Sequence, residues 1–250
     1  MIKYILDITI LYPMKIQSPP LEQFDLRIQF KASVNYSLTE LSKFLDSISD
    51  FFSEELRFTL PTTKLVNFDV SRPLQLTSKD KSHQLLLFSD ALQFQSTKYT
   101  TWIEEKEKYL RIINKLAEYL HQNIVQNIYM QYVDSFDLPR EDFTLNTWFN
   151  FYGSMPNNWK IEQNDFHFGI LFETPPDQKL VMRLKGREPE DENFWNVVVE
   201  SIFSRDVEID LEKENHLFEK MLDEGHDLIN EKFKELLNDN LRSRIGVIEE

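Results

Sequence analysis

The strongest structural constraint in this sequence is a stripe of apolar residues at helical spacing in its last part. The stripe comprises Leu217, Phe218, Met221, Leu222, Leu228, Ile229, Phe233, Leu236 and Leu237. Apolar residues that recur every three to four positions share one face of an α-helix, and that face needs an apolar partner. Gly225 lies in the gap of the stripe, where a neighbouring backbone can approach closely. The pattern predicts a long helix that covers a sheet, with Phe233 buried beneath it.

Shorter patterns in the first half predict further elements. Alternating apolar residues from Phe24 to Phe30 predict a half-buried strand. Ser37 and Glu40 form a capping-box pattern that predicts the start of a helix, and Thr100 or Thr101 caps a second one. Between these helices, short apolar runs separated by turn residues predict an antiparallel meander. The runs are 74–77, 84–88 and 92–95.

The second half of the sequence repeats this order of elements. It predicts a strand, a short helical segment and three more strands before the long helix. These segments are 128–133, 143–151, 166–173, 179–184 and 195–203. The predicted fold class is α+β, with antiparallel sheets covered by long amphipathic helices in two pseudo-repeated strand-helix-three-strand-helix units. We expect residues 1–122 to form the first α+β unit and 123–250 a second unit packed on it, as one body without a flexible linker.

Composition excludes several classes of protein. The 250 residues include no Cys and only 5 Gly. Disulfide frameworks, zinc ribbons, CxxC redox sites and thiol nucleophiles are therefore excluded. The sequence also lacks GxSxG, GxxxxGK and GxGxxG, so hydrolase, kinase and dinucleotide-binding functions have no support. We expect a cytoplasmic protein without catalytic residues, cofactor, bound metal or membrane segment.

The negative charge is concentrated in the last quarter of the sequence. Residues 188–250 hold 19 Asp and Glu against 7 Lys and Arg, which is a net charge of −12 out of −14 for the whole chain. Nucleic-acid binding depends on neutralising phosphates with Lys and Arg, so this distribution disfavours direct nucleic-acid binding. It favours a protein partner with a basic surface.

Three stretches resemble a family of uncharacterised, sporadically distributed prokaryotic proteins of similar length. They are Ser96–Glu105, with its core at Thr97–Trp102, then Ile128–Asp134, with its core at Tyr129–Asp134, and Leu222–Gly246. The sequence departs from the family pattern where Met130 or Gln131 replaces an arginine that is usual before the tyrosine. The resemblance implies no established activity or catalytic residues. The patchy occurrence of the family is similar to that of mobile or defence-associated genes.

One cluster of titratable residues invites a metal-site interpretation. Asp223, His226 and Asp227 lie within about one helical turn, and carboxylates at this spacing can hold a hard cation with help from another segment. This would give a metal-dependent nuclease. His226 also lies between Leu222 and Ile229 beside the apolar stripe, which favours a structural role with one hydrogen bond to a neighbouring strand.

Two binding functions are consistent with a sequence that lacks these catalytic motifs. The first is a small-ligand-binding protein with an aromatic-lined pocket on one sheet face, formed by Phe166, Phe168, Phe172, Trp195 and Phe203. The second, which the sequence favours, is a non-enzymatic protein-interaction subunit of a cytoplasmic prokaryotic multi-protein assembly, in antiphage defence or toxin neutralisation. Its candidate interaction residues are Trp148, Tyr152, Trp159, Glu188, Glu190, Asp191 and Glu192. The sequence leaves a homo-oligomer open.

Overall fold

A computed structural model of the chain describes residues 21–33, 35–52, 65–66, 68, 72–140, 145–150, 167–187 and 193–245. The strands are β1 Leu21–Phe30, β2 Tyr36–Ser37, β3 Leu65–Val66, β4 Leu74–Thr77, β5 His83–Leu87, β6 Ala91–Ser96, β7 Ile124–Pro139, β8 His167–Phe172, β9 Gln178–Arg187 and β10 Phe194–Asp210. The helices are α1 Leu38–Ser47, α2 Trp102–Leu120, α3 Leu145–Trp148, α4 Leu211–Leu236 and α5 Asp239–Ile245.

Eight of these strands form one antiparallel sheet in the order β4-β5-β6-β1-β7-β10-β9-β8. The centre of the sheet is the β1, β7 and β10 group. β7 pairs with β1 on one side and with β10 on the other, where the register runs from Phe194 opposite Pro139 to Asp210 opposite Ile124. β2 and β3 form a separate two-stranded ladder.

The predicted fold class is wrong, because eight of the ten described strands form one large sheet that runs through both proposed units, and not separate sheets covered by helices in pseudo-repeated units. The reason lies in the central strands. β7 has 16 residues and β10 has 17, whereas their apolar runs suggested about half that length. The polar residues that alternate with apolar ones towards the strand ends concealed the extent of pairing. The proposed division into residues 1–122 and 123–250 stays a prediction, and the sheet continues across it through β1 and β7.

Several local predictions are confirmed. Ser37 and Glu40 form the capping box of α1, and the Thr101 side chain accepts a hydrogen bond from the Glu104 backbone amide at the start of α2. β4, β5 and β6 form the predicted antiparallel meander. Within the described part of the predicted helix 143–151, which is 145–150, the four residues of α3 are helical.

The core lies on one face of the sheet. The larger apolar cluster joins β1, β5, β6 and β7 to the buried faces of α1, α2 and α4. A smaller cluster joins the far ends of β7 and β10 to α3 and the end of α4, and it includes Trp148 and Phe149. Trp148 is only 6% exposed, so the prediction that it presents an exposed interaction surface is wrong. It was misassigned because α3 is too short to show helical periodicity in the sequence.

α4 contacts β10 closely at Gly225, where the neighbouring group is the Phe203 side chain and not the backbone that the sequence predicted. A Cβ atom on Gly225 would lie 2.7 Å from the Phe203 ring, which is closer than a real Cβ contact allows. Glycine therefore sets the distance between helix and sheet. In the described part of the chain, no helix has the length and apolar character needed to cross a membrane.

Candidate functional site

A carboxyl group interrupts the apolar side of the central strand. The buried face of β7 carries Ile128, Met130, Tyr132, Asp134, Phe136 and Leu138 in strict alternation. Asp134 is 7% exposed, and no side-chain hydrogen bond or ion pair to its carboxyl is present among the described residues. A buried charged group without a partner is costly, so its presence at this position calls for an explanation.

Asp134 faces a cavity of about 280 Å³ at the junction of β7, α2 and α4. We call this cavity the Asp134 pocket and define it by Tyr99, Trp102, Tyr132, Asp134, His226 and Asn230. Leu21, Ile229 and Phe233 complete its apolar lining. The pocket thus combines aromatic rings with a few polar groups, which is the usual composition of a ligand site.

Trp102 forms one wall of the pocket and is held in place from two directions. It is the first residue of α2, directly after the Thr101 cap. Its indole Nε1 donates a 2.7 Å hydrogen bond to Asp223 on α4, and Lys106 one turn later donates to the same carboxylate at 2.9 Å. The indole ring stacks on the His226 imidazole with 4.5 Å between centroids and an angle of 7°. These contacts fix α2 against α4 at the pocket.

His226 connects α4 to the central strand. Its Nδ1 lies 2.7 Å from the Tyr132 hydroxyl, and its Nε2 accepts a 2.8 Å hydrogen bond from the Asn230 amide. A neutral imidazole that accepts at Nε2 carries its proton on Nδ1 and donates it to Tyr132. The hydroxyl proton of Tyr132 is then available to another acceptor. The hydrogen bond to a neighbouring strand is the contact that the sequence suggested for His226.

Burial controls the charge states in the pocket. It raises the pKa of Asp134 to about 7, with a further contribution from the negative charge of Glu22. Burial lowers the pKa of His226 to about 4, and nearby Lys106 acts in the same direction, while Asp227 and Asp223 oppose both. Burial also raises the pKa of Tyr99 to about 12. At neutral pH the pocket therefore holds a neutral imidazole, neutral phenols and a carboxyl that is close to half ionised.

The metal interpretation of Asp223, His226 and Asp227 does not match the contacts that these side chains make. Asp223 accepts from Trp102 and Lys106, and both ring nitrogens of His226 have protein partners. Asp227 is exposed. Within the described ranges, no three His, Asp or Glu side chains stand together in a way that could hold a metal ion.

A second polar cluster, on β5 and α2, is a structural network. Glu105 is fully buried and accepts hydrogen bonds from Lys108 at 3.0 Å and from the His83 ring at 3.2 Å. Burial alone raises the pKa of Glu105, but these hydrogen bonds outweigh it and the pKa is lowered. The network continues from the His83 ring to the Ser82 hydroxyl, and this hydroxyl donates a hydrogen bond to Asp80. Because the Ser82 hydroxyl donates its proton to Asp80 in the turn and not to the His83 ring, this network does not contain a serine nucleophile activated by histidine.

The residues named from the sequence have different outcomes. Of the predicted aromatic pocket, Trp195 and Phe203 are core residues, Phe168 and Phe172 are half-buried beside them, and Phe166 lies outside the described residues. None of the described four lines the Asp134 pocket, and a more open cavity of about 500 Å³ beside β8 and β9 includes Phe172 alone among them. Phe233 is half-buried, stacks on Phe136 and lines the Asp134 pocket, so its predicted burial is only partial.

The structure describes one of the seven candidate interaction residues, Trp148, and not the other six. They are Tyr152, Trp159, Glu188, Glu190, Asp191 and Glu192, and all lie outside the described residues. Sequence reasoning missed Tyr99, Trp102, Tyr132 and Asp134 as site residues. The available signal was Asp134, the one acidic residue on the apolar side of the alternating pattern of β7.

The stretches that carry the family resemblance meet at the Asp134 pocket. Tyr99 and Trp102 come from the first, Tyr132 and Asp134 from the second, and His226, Ile229, Asn230 and Phe233 from the third. Neither protein-family models nor curated proteins match this chain. Membership of the family that the sequence resembles stays a prediction.

Proposed function

We propose that this chain is a small-molecule-binding protein and that its ligand occupies the Asp134 pocket. The observation that carries the proposal is the Asp134 carboxyl, which is 7% exposed at the wall of a 280 Å³ cavity and has no hydrogen-bond or ion-pair partner among the described residues. A group of this kind loses hydration without gaining a protein partner, and a ligand that bonds to it offsets that cost.

The lining of the pocket supports the same function. The Trp102 and His226 rings are fixed by stacking and hydrogen bonds, so the pocket is formed before any ligand arrives. Preformed sites avoid the entropic cost of ordering side chains on binding. The volume lies at the small end of ligand sites, which suits a metabolite and excludes a folded partner or a peptide.

A pocket-filling variant tests this proposal. Leu21 lines the pocket from the start of β1, so Leu21→Trp places an indole in the cavity. The matched control is Leu171→Trp, because Leu171 is 68% exposed on the outermost strand β8. Thermal-shift measurements with a chemically diverse metabolite library should give compounds that raise the Tm of the wild type and the control but not of Leu21→Trp. Compounds that stabilise all three equally, or a library without any stabilising compound, would contradict the proposal.

The protein-interaction function in a cytoplasmic assembly is a second proposal, and the acidic surplus of residues 188–250 is the observation in its favour. A basic partner protein would be steered by that charge. Replacing Glu188, Glu190, Asp191 and Glu192 by amides should slow its association, measured on the partner that co-purifies from native cells. Micromolar binding of nucleic acid by the wild type at physiological salt would contradict this second proposal.

A further inference from the structure

The Asp134 pocket has a strong bias in charge. Among the described residues, its lining includes one carboxyl and neither Lys nor Arg, and the imidazole of His226 is kept neutral by burial. We propose that the ligand of this pocket is a small organic cation whose ammonium or amidinium group binds the Asp134 carboxylate. This inference rests on the proposed function and specifies its ligand class.

The aromatic lining favours the same class of ligand. The Tyr99 and Tyr132 rings lie 5.9 Å apart in an edge-to-face arrangement, and the Trp102 indole stands beside them. Aromatic rings attract cations through their quadrupoles, and the attraction is strongest where water is excluded. In a pocket of this kind the carboxylate binds the charged nitrogen of an alkylammonium ligand, and the aromatic rings contact the apolar carbons of the ligand.

The charges around the pocket point in the same direction. Glu22 lies close enough to act on Asp134, and Asp223 and Asp227 act on His226. The one cation among the groups acting on His226 is Lys106, and its ammonium is paired with Asp223 and Glu219. Glu22 also pairs with Arg187 at 3.0 Å, so the surplus of negative charge comes from Asp227 and from the two carboxylates that share Lys106. The resulting field attracts cations and repels anionic metabolites.

Binding of a cation requires an ionised Asp134, so it is coupled to proton release. The titratable groups that face Asp134 are Tyr99 before α2, Tyr132 on β7, His226 on α4 and Glu22 on β1. Both tyrosines titrate above pH 8, and His226 titrates below pH 5.5. Asp134 therefore dominates the pH dependence between these limits. Affinity for a permanent cation should rise with pH up to about 7 and then level off.

Calorimetry with matched probes tests the inference on the full chain. The probes are choline and benzylammonium, their neutral isosteres 3,3-dimethylbutan-1-ol and benzyl alcohol, and the anion benzoate. At pH 8 each cation should bind at least about tenfold more tightly than its isostere. For choline the affinity should fall about 30-fold between pH 8 and pH 5.5, which is the loss of the ionised fraction of Asp134.

Two variants separate charge from packing. Asp134→Asn should abolish the preference for cations over isosteres. Asp25→Asn is the matched control, since Asp25 is also buried but points to the opposite side of β1 from Phe24 and accepts hydrogen bonds from Gln23 and Gln93. It should keep the preference. If Asp134→Asn fails to fold, the pH dependence of the wild type still decides the question.

The two possible failures differ. Isosteres or benzoate that bind as tightly as the cations, and that Leu21→Trp no longer binds, would overturn the cation inference and leave the proposed function intact. Failure of every probe to bind at 10 mM, while library compounds still stabilise the wild type and not Leu21→Trp, would overturn the cation inference alone. Failure of every probe together with a library that holds no stabilising compound would overturn both.

Discussion

Asp134 combines the burial of a core residue with two properties that ordinary core residues lack: a carboxyl without a partner among the described residues and a raised pKa. Since its pKa is about 7 in the folded chain and 3.8 in the unfolded chain, the folded state holds the extra proton between these values. Stability therefore falls as the pH rises from about 4 to 7, and the full penalty is present above pH 7. A penalty of this kind is typical of a residue kept for function.

Replacing this carboxyl should stabilise the empty protein. At pH 8 we expect Asp134→Asn to raise the free energy of unfolding by about 2 to 4 kcal/mol, with no gain near pH 4, where the wild-type carboxyl is neutral in the folded chain. Urea unfolding at both pH values measures the difference. Asp25→Asn, which loses existing hydrogen bonds, should be destabilised instead. A stability of Asp134→Asn that is lower than wild type at pH 8 would show that the carboxyl has a protein partner.

His226 should show the opposite pH dependence. Its pKa is about 4 in the folded chain against 6.5 unfolded, so the unfolded chain binds the proton first and stability is lost as the pH falls from 6.5 to 4. We expect His226→Gln to cost about 1 to 3 kcal/mol at pH 7 through loss of the Tyr132 hydrogen bond and the Trp102 stack, and to weaken the acid-induced loss. Denaturant unfolding across this pH range checks both. A stoichiometric divalent metal in the wild type that the variant lacks would contradict this role.

At the residue scale, the sequence indicated part of the site. His226 was identified because its position beside an apolar stripe is visible in a helical pattern. Asp134 was not predicted as a site residue, although it lies in a stretch that resembles a family motif. A single carboxyl in an alternating strand becomes unusual only once the burial of that strand face is known. Trp102 and Tyr99 belong to the pocket because of their tertiary contacts with α4 and β7, and no local sequence pattern predicts such contacts.

At the scale of elements, the distance between α4 and β10 depends on Gly225. Alanine favours helices over glycine by about 1 kcal/mol, yet its Cβ would lie 2.7 Å from Phe203. We expect the clash to dominate and Gly225→Ala to destabilise the protein by about 1 to 3 kcal/mol in thermal unfolding. Gly169→Ala on β8 is the control, because its Cβ would meet nothing within 4 Å. Equal stability of both variants would mean that α4 is not docked on the sheet as described.

The elements with strong local signals were predicted well. Capping residues mark the starts of α1 and α2, and turn residues mark the meander β4 to β6, because these signals act over a few positions. The lengths of β7 and β10 and their membership of one sheet were not predicted, since strand pairing joins residues far apart in the chain.

At the scale of the whole molecule, the sheet and two helices bring together segments that lie more than 90 residues apart. Trp102 and Asp223 are joined by a hydrogen bond, and Tyr132 and His226 by another. The Asp134 pocket therefore exists only in the folded chain, and its aromatic walls are held by contacts between elements. The fold thus maintains a preformed ligand site around a buried carboxyl.

The indole signal of Trp102 in ¹⁵N-labelled protein shows whether a ligand occupies this site. The chain has 4 Trp, and the Trp102→Phe and Trp195→Phe variants assign the signals of the pocket tryptophan and of Trp195 in the smaller core cluster. Titration with the cationic, neutral and anionic small molecules should shift the Trp102 signal saturably for at least one of them, while the Trp195 signal stays in place. Saturable binding that leaves the Trp102 signal unmoved, or that moves the Trp195 signal equally, would contradict a ligand site at Asp134.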